Sequence, residues 1–230
     1  MGDFIGIAIN GTDLSERGVN MLRDYKIGGT AMTNTIFQGR NRSSYRLLAG
    51  VYGQKPVSFT LVYEGKTHRE AALNRSAVEA MLWGKVEIFM PDGFFYTSTV
   101  QSIGEGTIYG QEDNQILIEV SYELQGIQHD PLMTVVGGNF FNPGTLPYTD
   151  CSVSATAGAA AAIYLLAGAT FHDVKAGEKL EVDGINGRIL RNGAPAPGNV
   201  DFIRFPQVTP GQNSFLAPDP VTVSFYPSYI

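Results

Sequence analysis

The segment GEKLEVDGINGRILRNG (177–193) is followed by DFIRFPQVTPGQNSF (201–215) and by VTVSFY (221–226). Two dipeptides, Asn186-Gly187 and Asn192-Gly193, separate short apolar runs within the first of these segments. Asn-Gly pairs tolerate the positive φ angles of tight hairpin turns, so the segment predicts short antiparallel strands joined by such turns. The stretch therefore indicates β-structure in the last third of the sequence.

The rest of this stretch adds a turn and a strand with one buried face. Thr209-Pro210-Gly211 predicts a turn after the apolar run Phe202–Phe205. Val221, Val223 and Phe225 alternate with small polar residues, which is typical of a half-buried strand. This order of a hairpin, a Phe-Pro step, a Pro-Gly turn and a final strand resembles the C-terminal galectin-like β-sandwich of distal tail proteins. Those proteins form the tail-tip hub of long-tailed, non-contractile bacteriophages.

The first half of the chain combines strands with one helix. Apolar residues alternate over Val57–Tyr63, which predicts a strand. Thr67–Glu70 fits a capping box and precedes apolar residues at helical spacing, which predicts a helix over about residues 67–83. A hairpin over 86–100 and a strand over 116–123 follow. This order is similar to the N-terminal half of distal tail proteins, a β-rich ring-forming domain with one helix and extended hairpins.

Other segments give less distinct patterns. Short strands are predicted at Phe4–Ile9 and near Val19–Ile27, whereas residues 12–44 match the family in outline only. The Ala-rich run Ala155–Ala169 is shorter than the roughly 20 residues that a membrane-spanning helix needs. We interpret it as two buried strands broken near Gly158, with a buried helix as the alternative.

These patterns and the resemblance together predict an all-β-dominated chain of two domains. A ring-forming β domain with one helix is expected over 1–130, and a galectin-like β-sandwich over 149–230. Residues 131–148 are expected to be a linker, because Gly137-Gly138-Asn139 and Asn142-Pro143-Gly144 break regular elements.

The amino-acid composition agrees with an all-β-dominated fold. The chain has 230 residues, of which 43% are hydrophobic, so it can bury a sizeable core. Charged residues make up 17%, below the roughly 25% of typical soluble domains, and 27 Gly and 12 Pro suit a chain rich in turns. A net charge of −6 argues against a nucleic-acid-binding protein, which needs a basic face. The sequence opens without a secretory signal, which predicts synthesis in a cytosol, and the resemblance implies that this is the bacterial host cytoplasm.

Candidate catalytic and metal-binding residues are few. His68, His129 and His172 do not stand at metal-ligand spacing from one another or from Cys151, the only cysteine. The run Gly104-x-Gly106-x-x-x-Gly110 lacks the spacing and the strand-to-helix context of a phosphate-binding loop, so a turn is expected. We therefore expect no catalytic site, no cofactor, no metal and no enzyme activity.

Glycoside chemistry and sugar binding are the alternatives that the residues leave open. The pairs Glu112-Asp113 and Glu178/Glu181 could serve glycoside hydrolysis, but any chain with 22 acidic residues contains such pairs. Lectins stack sugars on exposed aromatic rings, whereas the sole tryptophan, Trp83, is expected to pack in a core at the helix end. The remaining aromatic candidates in the second half are expected in cores or interfaces: Tyr164, Phe171, Tyr226 and Tyr229.

Three arginines, Arg40, Arg42 and Arg46, cluster before the first clear strand. A nucleic-acid patch would need more basic residues and interleaved aromatic side chains. We interpret the cluster as an interface segment that pairs with acidic residues of a neighbouring subunit.

The resemblance implies a structural virion protein at the phage tail tip. Six copies would form a ring, in one layer or two, that joins the tail tube protein to a tail-associated hub or lysin protein. Receptor-binding or adhesion proteins would dock at the periphery. The ring would surround the DNA exit channel without binding DNA specifically, and no membrane partner is expected. The alternative function is a virion-associated carbohydrate-binding module.

Overall fold

The structure is a computed structural model that describes residues 6–38, 40, 43–44, 46–112, 115–196 and 198–230. The chain forms two compact units. One comprises the residues up to Gln128 together with Ile230, and the other spans His129–Tyr229. Antiparallel strands dominate both units, and α1 is the single α-helix among the described residues. The predicted all-β-dominated fold class is therefore confirmed.

The first unit is built on one main sheet with a helix packed on it. The main sheet has the strand order β2-β1-β7-β8-β10-β6-β3, and β9 pairs with β10. β4 and β5 pair with each other as a separate two-stranded sheet. The elements are β1 (Ala8–Ile9), β2 (Thr12–Asp13), a 3-10 helix (Leu14–Arg17), β3 (Val19–Ile27), β4 (Met32–Phe37), β5 (Arg46–Tyr52), β6 (Lys55–Gly65), α1 (His68–Met81), β7 (Val86–Phe89), β8 (Phe95–Ile103), β9 (Thr107–Glu112) and β10 (Gln115–His129).

β6 and β10 are neighbouring long strands of the main sheet. They pair antiparallel, with Ile118 opposite Tyr63 and Tyr122 opposite Phe59. The Phe59 and Tyr122 rings stack with centroids 5.4 Å apart, and the Tyr63 and Tyr122 hydroxyls lie 2.6 Å apart. A buried hydroxyl without a partner is costly, so this hydrogen bond lets two tyrosines contribute apolar area to the core. The strand predicted over 57–63 is confirmed.

α1 begins where the capping box predicts. The Thr67 hydroxyl accepts a hydrogen bond from the backbone N–H of Glu70 at 3.2 Å. The Glu70 carboxylate accepts from the backbone N–H of Lys66 at 2.9 Å, one residue earlier than in the standard box. The Thr67 side chain therefore satisfies an amide that the helix start leaves unpaired, and the Glu70 side chain holds the residue that precedes the cap. The helix ends at Met81, two residues before the predicted end.

The second unit contains two main sheets that share one hydrophobic core. A seven-stranded sheet has the order β11-β22-β13-β16-β17-β18 with β20 beside β13, and a three-stranded sheet has the order β14-β15-β19. β12 and β21 form a two-stranded sheet. The strands are β11 (Met133–Val136), β12 (Asn139–Asn142), β13 (Thr149–Thr156), β14 (Ala161–Leu166), β15 (Ala169–Val174), β16 (Lys179–Asp183), β17 (Arg188–Arg191), β18 (Ala194–Pro195), β19 (Val200–Phe202), β20 (Gln207–Val208), β21 (Gly211–Ser214), β22 (Val221–Phe225) and β23 (Ser228–Tyr229).

The predicted hairpins of residues 177–193 are confirmed. β16 and β17 pair around the turn that contains Asn186-Gly187. β17 and β18 are joined by Asn192 and Gly193 alone, with φ angles of 53° and 78°. Two successive positive φ angles define the primed turn for which Asn-Gly is preferred.

The Ala-rich run forms strands, as predicted, and the helix alternative is wrong. β13 ends at Thr156 and β14 occupies Ala161–Leu166. Tyr164 and Leu166 are buried, whereas Ile163 and Leu165 are exposed, so β14 has one buried face and not two. The alternation has period two, which a helix cannot produce.

The predicted linker over 131–148 is wrong, because β11 and β12 lie within it. Val135 pairs with Val223, and Phe140 pairs with Asn213. The Phe140 ring lies 5.4 Å from the Phe225 ring in the core. These partners lie far away in sequence, so the local glycines and prolines gave no sign of the pairing.

The remaining predictions for the first unit are largely confirmed. β3 coincides with the strand predicted over Val19–Ile27, and β7 and β8 form the hairpin predicted over 86–100. The strand predicted over 116–123 extends to His129. Of the strand predicted over Phe4–Ile9, Ala8 and Ile9 form β1, and residues 4 and 5 lie outside the described residues. Among the described residues, no helix has the length and apolar character to cross a membrane.

Candidate interaction surfaces

The three histidines lie in unrelated surroundings. His68 is exposed in the first turn of α1. The Nδ1 atom of His129 lies 2.9 Å from the Asp130 carbonyl oxygen, and Nε2 of His172 lies 2.8 Å from the Asp201 carboxylate. Within the described ranges, no group of three or more His, Cys, Asp or Glu side chains could hold a metal ion.

Cys151 is buried in the core of the second unit, on β13. Burial, together with the Asp150 carboxylate, raises the pKa of its thiol to about 12. The thiol is therefore neutral at physiological pH and contributes packing, whereas a reactive cysteine needs a stabilised thiolate.

The carboxylates considered for glycoside chemistry have other partners. Glu178 accepts a hydrogen bond from Nε of Arg191 at 3.0 Å, and this bond lowers the pKa of Glu178. Glu181 accepts from the Ser152 hydroxyl at 3.2 Å. Asp113 lies outside the described residues. For Glu112 the structure describes the backbone, which belongs to β9, and not the side chain.

The glycine run near residue 104 does not form the expected turn. Gly104 and Gly106 lie in the short connection between β8 and β9, which both pair with β10, and Gly110 lies within β9. A Cβ atom at Gly104 would lie 3.2 Å from the Ser121 carbonyl oxygen, so this connection lies close against β10. A strand follows it where a phosphate-binding loop would require a helix.

The aromatic residues considered for sugar stacking are used in packing. Tyr164 and Phe171 are buried in the core. The Tyr226 ring contacts His129 edge-on, and the Tyr229 hydroxyl donates to Asp130. Burial excludes Tyr164 and Phe171 as stacking platforms for a sugar, whereas Tyr226 and Tyr229 are half-buried.

Trp83 is exposed, and the prediction that it packs in a core is wrong. Its exposed fraction is 90%, whereas its neighbour Leu82 is buried. Leu82 fills the core position at the helix end, and Gly84 turns the chain with φ +78°. The indole is therefore directed away from the core. Exposed tryptophans are frequent hot spots of protein interfaces.

β4 and β5 form an exposed hairpin, which we call the arm. Every residue of both strands is exposed, although the pairing places Ile36 opposite Leu47 and Met32 opposite Tyr52. Arg40 and Arg46 are exposed on the same hairpin, and Arg42 lies outside the described residues. The arm exposes seven large apolar side chains: Met32, Ile36, Phe37, Leu47, Leu48, Val51 and Tyr52.

The outer face of the main sheet is polar, in contrast to its core face. The Thr60 and Ser121 hydroxyls lie 3.0 Å apart, and the Ser102 hydroxyl donates to Glu123 at 2.9 Å. Arg23 forms an ion pair with Glu119 on this face. A shallow concavity of about 200 Å³ lies among Asp24, Tyr25, Lys26, Ser58, Phe59, Thr60, Ser121, Tyr122 and Glu123.

The second unit has an open groove with an apolar rim. Its volume is about 610 Å³, and the chain segments around Leu165–Thr170 and Ile203–Gln207 form its walls. Ile203 and Leu216 on the rim are almost fully exposed, and Tyr148 is largely exposed. Apolar side chains rimmed by polar residues are typical of protein-interaction sites.

Solved structures similar to this chain come from a phage hub adsorption apparatus and from phage baseplates. A structure described as SPP1 Dit, a paradigm of the hub adsorption apparatus in phages that infect Gram-positive bacteria, gives a TM-score of 0.68 at 12% identity. The match covers 98% of this chain and 99% of that one. A chain of the phage p2 baseplate in its activated conformation with Sr gives 0.57 at 9% identity, covering 96% and 97% of the two chains.

A chain of the phage P2 baseplate in its activated conformation with Ca gives a TM-score of 0.54 at 10% identity, covering 93% and 92% of the two chains. No protein-family model matches this chain, and no curated protein does so. At these identities the likeness concerns the fold, and it extends over nearly the whole of each chain. The chain therefore has the fold of the phage Dit and baseplate hub proteins.

Proposed function

We propose that this chain is a structural, non-enzymatic hub protein of a phage tail tip. The observation that carries the proposal is the likeness to SPP1 Dit, which covers 98% of this chain and includes both units. A shared single domain would be weaker support, because one domain fold serves many functions.

Six copies form a ring through their first units, in one layer or two. The ring joins the tail tube to the tail-tip or baseplate proteins and surrounds the DNA exit channel. Exposed apolar side chains on the first unit support association there, because monomeric proteins rarely leave such patches uncovered.

The second unit is a galectin-like β-sandwich that docks adhesion or receptor-binding proteins. Two sheets that share one core support the sandwich. The groove beside Ile203 and Leu216 supports docking, since its rim exposes apolar side chains to solvent. A tail-associated hub or lysin protein is the partner below the ring. Assembly takes place in the bacterial host cytoplasm, and the protein acts in the virion.

Light scattering of the purified protein tests the ring. Six chains of 24.9 kDa have a mass of roughly 149 kDa, and negative-stain images should show a ring with a central channel. A monomer at high micromolar concentration, both alone and with the tail tube protein, would contradict the proposal.

A further inference from the structure

The groove of the second unit has walls that hydrogen bonds within the chain hold in place. The Pro206 carbonyl oxygen accepts a hydrogen bond from the backbone N–H of Cys151 at 3.2 Å, which ties one wall to β13. The Asn213 side chain donates to the Thr209 carbonyl oxygen at 2.7 Å and accepts from the Thr209 N–H at 2.9 Å, which fixes the turn before β21. The groove is therefore preformed, and a ligand loses little binding free energy in ordering it.

Large apolar side chains around the groove remain exposed. Ile203 and Leu216 are 87% and 88% exposed, and Tyr148 and Leu165 are each more than half exposed. The next residue on β14, Leu166, is buried in the core, so this strand supplies apolar side chains both to the core and to the groove. Single exposed apolar side chains are ordinary on a protein surface, whereas several around one concavity mark an interaction site.

Arg204 is the one charged residue among the described residues that line the groove. The second unit contains two other arginines, Arg188 and Arg191, and these form ion pairs with Asp183 and Glu178 respectively. The exposed Arg204 guanidinium forms no ion pair within the described part of the chain. A guanidinium binds a carboxylate through two parallel hydrogen bonds, so the groove favours a ligand with an anionic group.

The polar side chains of the groove favour a peptide over a sugar. A bound sugar needs partners for several hydroxyl groups, because polar groups buried without hydrogen bonds are costly. The Gln207 amide already donates to Asp150, and the Thr209 hydroxyl already donates to Asn213. An extended peptide instead places alternate side chains against apolar walls and can continue beyond both ends of an open groove.

We propose that the groove binds an extended peptide segment of an adhesion or receptor-binding protein, with apolar side chains against Ile203 and Leu216 and one carboxylate on Arg204. This inference rests on the proposed docking role of the second unit and names the chemistry of the segment that docks there. The apolar contacts supply most of the affinity. The carboxylate fixes the register of the segment, since charge pairs contribute to specificity more than to affinity.

Peptide selection by the purified full chain tests the carboxylate. The probe is an mRNA-displayed library of random peptides, selected in parallel on the wild type, on Arg204→Glu and on the control Lys175→Glu. Lys175 is exposed in the same unit but lies outside the groove. The wild type and the control should enrich the same apolar peptides with an acidic residue at one fixed position. Arg204→Glu should enrich peptides with a basic residue at that position, because it reverses the charge of the site.

The same peptides from all three proteins would overturn the proposal, because the carboxylate would then have no role at Arg204.

Serine substitutions test the apolar walls, with the peptide that the wild type enriches most as the probe. Ile203→Ser together with Leu216→Ser should weaken its binding about tenfold or more in fluorescence anisotropy. Both side chains are exposed, so the circular dichroism spectrum and thermal midpoint should not change. The control Ile163→Ser, at a position 60% exposed on β14 but outside the groove, should bind as the wild type does. Equal affinities of the double variant and the wild type would overturn the groove as the binding site.

Further outcomes separate this inference from the hub role. A ring-forming wild type that enriches no apolar acidic peptide would overturn the groove assignment and leave the hub intact. A monomeric wild type that enriches such peptides would contradict the hub and support the groove. Binding to cell-wall sugars on a glycan array, if the double serine variant loses it, would assign the groove to a sugar and overturn the proposal. An oligomer that the same variant loses would assign the groove to a second copy and overturn it equally.

Discussion

Trp83 and Phe59 are large aromatic residues of the same unit with opposite exposure. Trp83 is 90% exposed, whereas Phe59 is 2% exposed. We expect Trp83→Ala to change the free energy of unfolding by no more than about 0.5 kcal/mol, as surface substitutions do. The matched control Phe59→Ala should lose about 3–5 kcal/mol, because it leaves a cavity. Urea denaturation followed by circular dichroism measures both, and a loss above 1 kcal/mol for Trp83→Ala would contradict the exposed position.

Cys151 should make the protein less stable at alkaline pH. Burial raises the pKa of the thiol from 9.0 to about 12, so the folded state keeps the thiol neutral while the unfolded chain ionises. The stabilisation is complete below pH 9 and decreases as the pH rises toward 12. Between pH 8 and 10.5 this group alone should reduce the free energy of unfolding by about 2 kcal/mol.

Cys151→Ala isolates this contribution from that of the buried tyrosines. The variant starts from a lower stability at pH 8, since it removes a buried sulfur. It should nevertheless lose about 2 kcal/mol less than the wild type between pH 8 and 10.5. An identical pH dependence of the two proteins would show that the thiol does not titrate differently on unfolding.

At the scale of elements, the start of α1 depends on two side chains. Thr67 and Glu70 accept hydrogen bonds from the amides of Glu70 and Lys66. Replacing both with Ala should lower the free energy of unfolding by about 0.5–2 kcal/mol, the usual cost of a lost cap. Ser76→Ala, at an exposed position inside the same helix, is the control and should be neutral or slightly stabilising. Thermal and urea denaturation measure both variants, and unchanged stability of the double variant would rule out this cap.

The arm shows which elements the sequence predicts and which it does not. β6 and β22 have one face on a core, so their apolar residues alternate and reveal the strand. In the arm, apolar residues are adjacent at Ile36-Phe37 and Leu47-Leu48, because neither face packs on the chain's own core. No period appears, and the sequence therefore predicted neither β4 nor β5.

β11 and β12 were missed for a different reason. Each has four residues, and glycines or prolines flank them. Their pairing depends on β22 and β21, whose paired residues lie 69 to 92 positions later. Local patterns carry no information about such partners. The exposure of Trp83 could not be predicted from the sequence either. The residues around Trp83 do not show that Leu82 occupies the core position at the helix end.

The charge of the arm gives a further prediction at this scale. Arg40→Glu and Arg46→Glu together change the arm from +3 to −1. They should weaken self-association at least tenfold at low salt, because the body of the first unit is acidic. Raising the salt concentration should weaken the wild-type association and strengthen that of the variant, since exposed charges are screened. Sedimentation velocity over a salt series measures this, with Lys175→Glu and Lys179→Glu in the second unit as the control pair. Equal salt dependence of the two proteins would contradict the charge argument.

For the whole molecule, the ring should let DNA pass without binding it. Each retained phosphate contact would add free energy from counterion release, and such contacts would hold the genome in the channel. Residues 1–130 carry −4, so six copies carry −24, a total that includes carboxylates on the polar outer face of the main sheet such as Asp24 and Glu123. The arginines of the arm are neutralised if they pair with the adjacent copy. We therefore expect no retardation of double-stranded DNA at near-physiological salt in a gel-shift assay.

A salt-sensitive complex at low micromolar protein, abolished by Arg40→Ala, Arg42→Ala and Arg46→Ala, would place these arginines in the channel and contradict their role between copies.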